Sequence, residues 1–138
     1  MGHFFCLWVF SARFDVSGAG RQTMKKLGGA IGIAQGNDVI FEHFQDGGEM
    51  WTGKGNREIV KPVIFREAFS APPNVHCSLT LWDVDSDTNV RADIEAENIT
   101  DTGFDLVFRT WGDTKIARIR AGWMAIGPVS NDDDWELY

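Results

Sequence analysis

The 138-residue sequence predicts an all-β fold, a single antiparallel β-sandwich. Short runs of alternating apolar and polar residues follow one another, turn-forming residues separate them, and helical periodicity is nearly absent. The length suits one domain with its own hydrophobic core and is too short for two. Hydrophobic residues make up 43% of the chain and charged residues 24%, a globular rather than a disordered balance.

The first segment, MGHFFCLWVF, is apolar but lacks the basic residues that precede a signal-peptide core, and no small-residue cleavage motif follows it. A cleavable signal is not expected, and the compartment stays open between the cytoplasm and an unconventional extracellular route. Residues 11–23 carry little periodicity, and Met24 opens a second start-like run, MKKLGG. The expected organisation is an extension over 1–23, disordered or a mis-assigned start, then the sandwich over 24–128 and an acidic tail over 129–138.

Ile31 to Gln35 and Asp38 to Phe44 read as the first strands, and the stretch DGGEMWTGKGN after them is too rich in glycine to hold one. Ile59 to Phe65 resumes strand character but contains Pro62, which cannot donate to a ladder and marks a strand edge or a bulge. In VHCSLTLW, Val75, Cys77, Leu79 and Leu81 share one face, so Cys77 is expected to be buried. The turn DVDSDTN leads to VRADIEAEN, where Ala92, Ile94 and Ala96 point inward and Arg91, Asp93, Glu95 and Glu97 outward.

FDLVFRTW then places Phe104, Leu106 and Phe108 on one face and Asp105, Val107, Arg109 and Trp111 on a mixed second face. Last, KIARIRAGWMAIG puts Ala117, Ile119, Ala121, Trp123 and Ala125 on one side and Ile116, Arg118, Arg120 and Met124 on the other. The arginine pair is expected to meet Asp93, Glu95 or Asp105 across strands, or to line a subunit interface.

Several function classes recede. A net charge of -7 works against nucleic acid and anionic membranes, and no apolar run approaches the ~20 residues of a membrane span. Cys6 and Cys77 lie far apart and form no metal-binding or disulfide pattern. His3, His43 and His76 lack the spacing of a metal site or general base, and no nucleophile elbow, Walker loop or dinucleotide motif occurs. Neither an enzyme nor a metal or cofactor is therefore predicted.

The run Asp83-Val84-Asp85-Ser86-Asp87 has the opening of a calcium loop. Thr88, however, stands where an EF-hand needs glycine, and Ile94 where it needs a bidentate glutamate. An acidic hairpin turn is expected, with a loop calcium site as the alternative. Asn98-Ile99-Thr100 fits a glycosylation sequon, which matters only in a secretory pathway.

Five further elements follow one another in order: NREIVKPVIF with APPNV after it, SLTLWDVDSDTNVRA, TDTGF, TWGDTKI and GWMAI. Between about Trp51 and Gly127 the chain resembles the H-type lectin domain, the family of the snail agglutinins and the discoidins. The resemblance implies a six-stranded antiparallel sandwich that assembles as a homotrimer. It also implies binding of galactose-type sugars, often N-acetylgalactosamine, in grooves between protomers.

Position by position, the family's sugar-contacting arginine falls on Arg91 and its tryptophan on Trp111. The histidine after that tryptophan is Gly112 here, the early-loop aspartate falls near Lys54, and the tyrosine lent by a neighbouring protomer falls on Ala117. The candidate carbohydrate-binding set is Arg91, Trp111, Gly112, Asp113, Lys54 and Gly55. The chemistry suits a sugar, because a pyranose offers an apolar face to an aromatic plate and a rim of hydroxyls to a planar fork of donors. Lysine in place of aspartate makes acidic sugars a further expectation. Without the family, Trp111 reads as a surface or interface tryptophan, and Arg91 as the partner of Asp83 or Asp85.

The expected function is a lectin acting in recognition or adhesion on multivalent glycans. The alternative is a structural trimeric module of a larger particle such as a virion-like spike. Single sugar sites near millimolar affinity correspond to only about 4 kcal/mol, which multivalency would amplify.

Overall fold

The computed structural model describes residues 22–130. The expectations for the extension over 1–23 and for Cys6 lie largely outside them, as does most of the acidic tail. Among the described residues six strands carry the fold: β1 (Ile31–Glu42), β2 (Arg57–Ile64), β3 (Asn74–Val84), β4 (Asp93–Glu97), β5 (Gly103–Thr110) and β6 (Ile116–Pro128). Two helical turns, α1 (His43–Asp46) and α2 (Glu49–Thr52), join β1 to β2. The strands form two antiparallel three-stranded sheets, ordered β1-β6-β3 and β2-β5-β4. The predicted sandwich of six strands is what the described residues form.

The central strands, β5 and β6, supply most of the core, as their alternation requires. Phe104, Leu106 and Phe108 of β5 face Ile119, Ala121 and Ala125 of β6, all buried. Small residues on one sheet make room for large ones on the other. Towards one end, Phe65 and Phe104 pack against Trp123, with the Phe104 and Trp123 rings 5.2 Å apart and edge-on. Towards the other end, Phe41, Met50, Phe108, Ile116 and Ile119 form a second cluster. Burial of a side chain such as Met50 contributes about 1.5–3 kcal/mol.

Several elements depart from expectation. The two strands foreseen over 31–44 are one strand, and His43 and Phe44 belong to α1 instead. Gly36 does not interrupt β1, because it pairs with Trp123, whose indole would lie 2.7 Å from any Cβ there. The glycine-rich stretch is not all loop, since α2 forms within it and drives Met50 into the core. Ile116 points inward rather than outward, at a register irregularity beside Val84, where it joins the cluster around Met50.

Cys77 is half-buried rather than buried, opposite Trp123. Burial raises its thiol above the usual value, with the charges of Glu95 and Asp93 adding to the effect. Ala92 is exposed, because the ladder of β4 starts only at Asp93. Val107 is buried despite lying on the mixed face of β5, where it sits between Val60 and Glu95 in register. Pro62 fits as foreseen, on the edge strand β2 and exposed, with no break in register.

The arginine pair of β6 meets different partners from those expected. Arg118 Nε donates to Asp83 at 3.2 Å, and Arg120 donates to Thr80. Asp93 and Glu95 instead approach Arg109, and Asp105 accepts from Asn98. The reason is topological: β6 belongs to one sheet and β4 and β5 to the other, so their outer faces point apart.

Candidate functional site

At the α2 end of the sandwich, the loop before β2 meets the β5–β6 turn, and a buried arginine joins them. Arg57, only 5% exposed, occupies the inward row of β2 that Ile59 and Val63 continue. Its Nε donates to Gly55 O at 3.0 Å, Nη1 to Glu49 O and Met50 O at 3.3 Å each, and Nη2 to Gly112 O at 3.2 Å. A buried guanidinium is tolerable because four backbone carbonyls receive its donors. Gly55 N also donates to Gly112 O at 2.9 Å, so the two loops are tied twice.

Gly55 and Gly112 both adopt left-handed backbone, with φ of 81° and 72°. At Gly112 a Cβ would stand 3.0 Å from Arg91 Nη1, so the guanidinium lies directly over this glycine. The Arg91 backbone is fixed from both sides: its N–H donates to Thr114 Oγ1 at 3.1 Å, and its carbonyl accepts from Thr110 Oγ1. Both threonines are buried, and Thr114 Oγ1 donates onward to Asn89 O. The side chain reaches Asp113, with Nη1 to Oδ1 at 2.8 Å. That partner is Asp113 and not Asp83, which pairs with Arg118, or Asp85, which accepts from Asp87 N.

Asp113 is held below the usual aspartate value. Desolvation pushes it up, but the hydrogen bond from Arg91 and the backbone N–H groups of Asp113 and Asn89 outweigh this, aided by the Arg91 charge. Among the described residues only Nη1 of the Arg91 guanidinium is engaged, and the side chain is 35% exposed. Lys54 is exposed beside Gly55, and its ammonium has no hydrogen-bond partner among the described residues.

Trp111 is 42% exposed. It lines a cleft of about 470 Å³ with Asn56, Arg57, Glu58, Arg109 and Thr110. Arg91 does not line that cleft, so the two residues meet through Gly112 rather than in one cavity. Beneath the cleft, Arg109 donates to Glu58 at 2.8 Å and Glu97 at 2.7 Å and lies 3.5 Å from Glu95 and 3.7 Å from Asp93. The hydrogen bonds to Glu97 and Glu58 raise its basicity further, so it stays charged.

Of the six sequence candidates, the structure thus brings Arg91, Gly112, Asp113 and Gly55 together and places Lys54 and Trp111 beside them. Arg57 escaped the sequence reading, although an arginine on the inward row of a strand is a signal that a buried charge has found partners. An exposed aromatic plate stands beside polar groups with donors and acceptors to offer, all on cross-tied loops, an arrangement chemically able to hold a polar ring.

The family model of the H-type lectin domain matches residues 60–126. A discoidin-1 chain of Dictyostelium discoideum is 40% identical over 75 residues, 54% of this chain and 30% of that protein. The recombinant discoidin II of the same organism superposes with a TM-score of 0.62 at 28% identity, covering 70% of this chain and 37% of that one. A Fuscovulum blasticum protein, "ATP synthase subunits region ORF 7", is 54% identical over 114 residues, 83% of this chain and 99% of the relative. The chain belongs to the H-type lectin domain family and is, at that level, a carbohydrate-binding domain. It spans only about a third of each discoidin.

Proposed function

We infer that the protein is a lectin that binds galactose-type glycans at the end of the sandwich built by Arg91, Trp111, Gly112, Asp113, Lys54 and Gly55, and that it acts in recognition or adhesion. The observation that carries this reading is the exposed Trp111 plate next to an Arg91 fork seated over Gly112, on loops locked by Arg57. An aromatic plate stacks on the C–H face of a pyranose, and the free guanidinium donors reach neighbouring hydroxyls. The Asp113 carboxylate offsets the Arg91 charge, which favours neutral sugars there, while Lys54 has no partner among the described residues and favours acidic ones.

The active form we propose is a homotrimer with its sites in grooves between protomers, which turns weak single sites into avidity for multivalent glycans. A glycan array run together with native mass tests this. Trp111→Ala is expected to abolish glycan binding while the trimer survives.

One observation favours a second reading. The outer face of the β1-β6-β3 sheet exposes Ile31, Ile33, Met124 and Ile126, an apolar surface suited to assembly. If the wild type binds no glycan and Trp111→Ala breaks the oligomer, the chain is instead a structural assembly module of a larger particle.

A further inference from the structure

The cleft beside Trp111 has a chemistry of its own. Glu58 and Arg109 pair across β2 and β5, and Trp111 follows Arg109 by two residues, so all three border the outer side of the β2-β5-β4 sheet. Glu58 gives Oε2 to Arg109, while its Oε1 has no partner among the described residues, and the carboxylate is 50% exposed. Asn56 is exposed at the rim, and its amide makes no hydrogen bond among the described residues. A pinned carboxylate with a free oxygen, a free amide and an aromatic ring are the groups that hold a ring of hydroxyls.

The charge is as informative as the shape. Arg109 is surrounded by Glu58, Asp93, Glu95 and Glu97, so its single positive charge is exceeded by the carboxylates around it. Arg57, which also lines the cleft, adds a second positive charge, so two arginines stand against the four carboxylates of Glu58, Asp93, Glu95 and Glu97, and the cleft together with the ladder beside it is net negative and disfavours an anion. On the other side of Gly112, Arg91 is balanced by Asp113, and Lys54 is unpaired among the described residues. A volume of about 470 Å³ falls in the range of ordinary ligand pockets.

We propose that Asn56, Glu58 and Arg109 form a second subsite, sharing Trp111 with the Arg91 side, that binds the next residue of an oligosaccharide and rejects an anionic residue there. Asn56 and Glu58 contact the hydroxyls, and Arg109 positions Glu58. The subsite rests on the lectin reading above and extends it from a monosaccharide to a glycan of at least two residues, with an anion disfavoured at the second.

The test is titration calorimetry with three probes: methyl galactoside, a panel of neutral galactose-containing disaccharides, and the same disaccharides with the second sugar oxidised to a uronic acid. The wild type is expected to bind the best neutral disaccharide at least fivefold more tightly than methyl galactoside, and its uronate at least fivefold less tightly than the neutral form. Asn56→Trp, which fills the cleft, is expected to remove the disaccharide gain, and Glu58→Gln to narrow the discrimination against the uronate. The subsite is overturned if Arg91→Ala abolishes methyl galactoside binding but the wild type shows no disaccharide gain, or if Asn56→Trp leaves that gain intact. A wild type that binds none of the probes, with Arg91→Ala no different, overturns the lectin reading and the subsite together.

Discussion

Gly112 accepts at its carbonyl from both Gly55 N and Arg57 Nη2, while its α-carbon faces the Arg91 guanidinium. Its φ of 72° costs an L-residue about 1–2 kcal/mol, and a Cβ would press on Arg91 from 3.0 Å. Gly112→Ala is expected to destabilise the fold by that amount in urea titration and to weaken glycan binding about tenfold by displacing Arg91. Arg57 acts at greater depth. Arg57→Met strips donors from four carbonyls and is expected to cost about 3 kcal/mol, with a loss of glycan affinity although the residue contacts no sugar. Asp113 sets the pH response. A carboxyl whose value is lowered on folding stabilises above its unfolded value and loses that contribution as pH falls through the folded one. Binding that depends on the Arg91–Asp113 pair is therefore expected to hold from neutral pH through the ordinary aspartate range and to fail only below it, as a pH series of titrations would show.

At the scale of elements, the tightest backbone constraint lies where β5 begins. Gly103 pairs with Ile64, and a Cβ there would stand 2.3 Å from the carbonyl oxygen of Val63, a backbone atom that cannot rotate away. Gly103→Ala is expected to cost about 2–3 kcal/mol by overpacking, read as a lower denaturation midpoint. Elements were legible in the sequence where one face is buried and the other wet. The faces of β3 and most of β5 and β6 follow from alternation, because a slip of one residue would expose the whole apolar row. Legibility ended where a residue's role depends on contacts distant in sequence. Gly36 resembles a breaker until Trp123 is placed opposite it, and the glycine-rich stretch resembles a loop until Met50 is seen to close the core. The partners of Arg118 and Arg120 could not be assigned from charge alone, since assignment of strands to sheets decides which carboxylates they face. The site was half legible. Arg91 and Trp111 were visible through the family resemblance, but Arg57 binds backbone carbonyls, which leave no side-chain signature in a sequence.

At the scale of the molecule, a net charge of -7 opposes self-association, so an oligomer needs an apolar surface to overcome it. The outer face of the β1-β6-β3 sheet offers one: Ile33 is 64% exposed and lies opposite Ile126, with Ile31 and Met124 close by in the ladder. If this face holds the proposed trimer together, a carboxylate at its centre would be desolvated on assembly at a cost that the remaining apolar contacts cannot offset. Ile33→Glu is accordingly expected to give a monomer by light scattering with an unchanged denaturation midpoint, because the side chain lies outside the core. Two affinities then separate the geometries. Loss of multivalency alone lowers binding to a glycan-coated surface by about 10²–10⁴ and leaves monosaccharide affinity as it was. Grooves shared between protomers predict more, since each site would lose the wall its neighbour supplies. Monosaccharide affinity measured on the monomer is therefore expected to fall as well, and an unchanged value would place each site wholly within one chain.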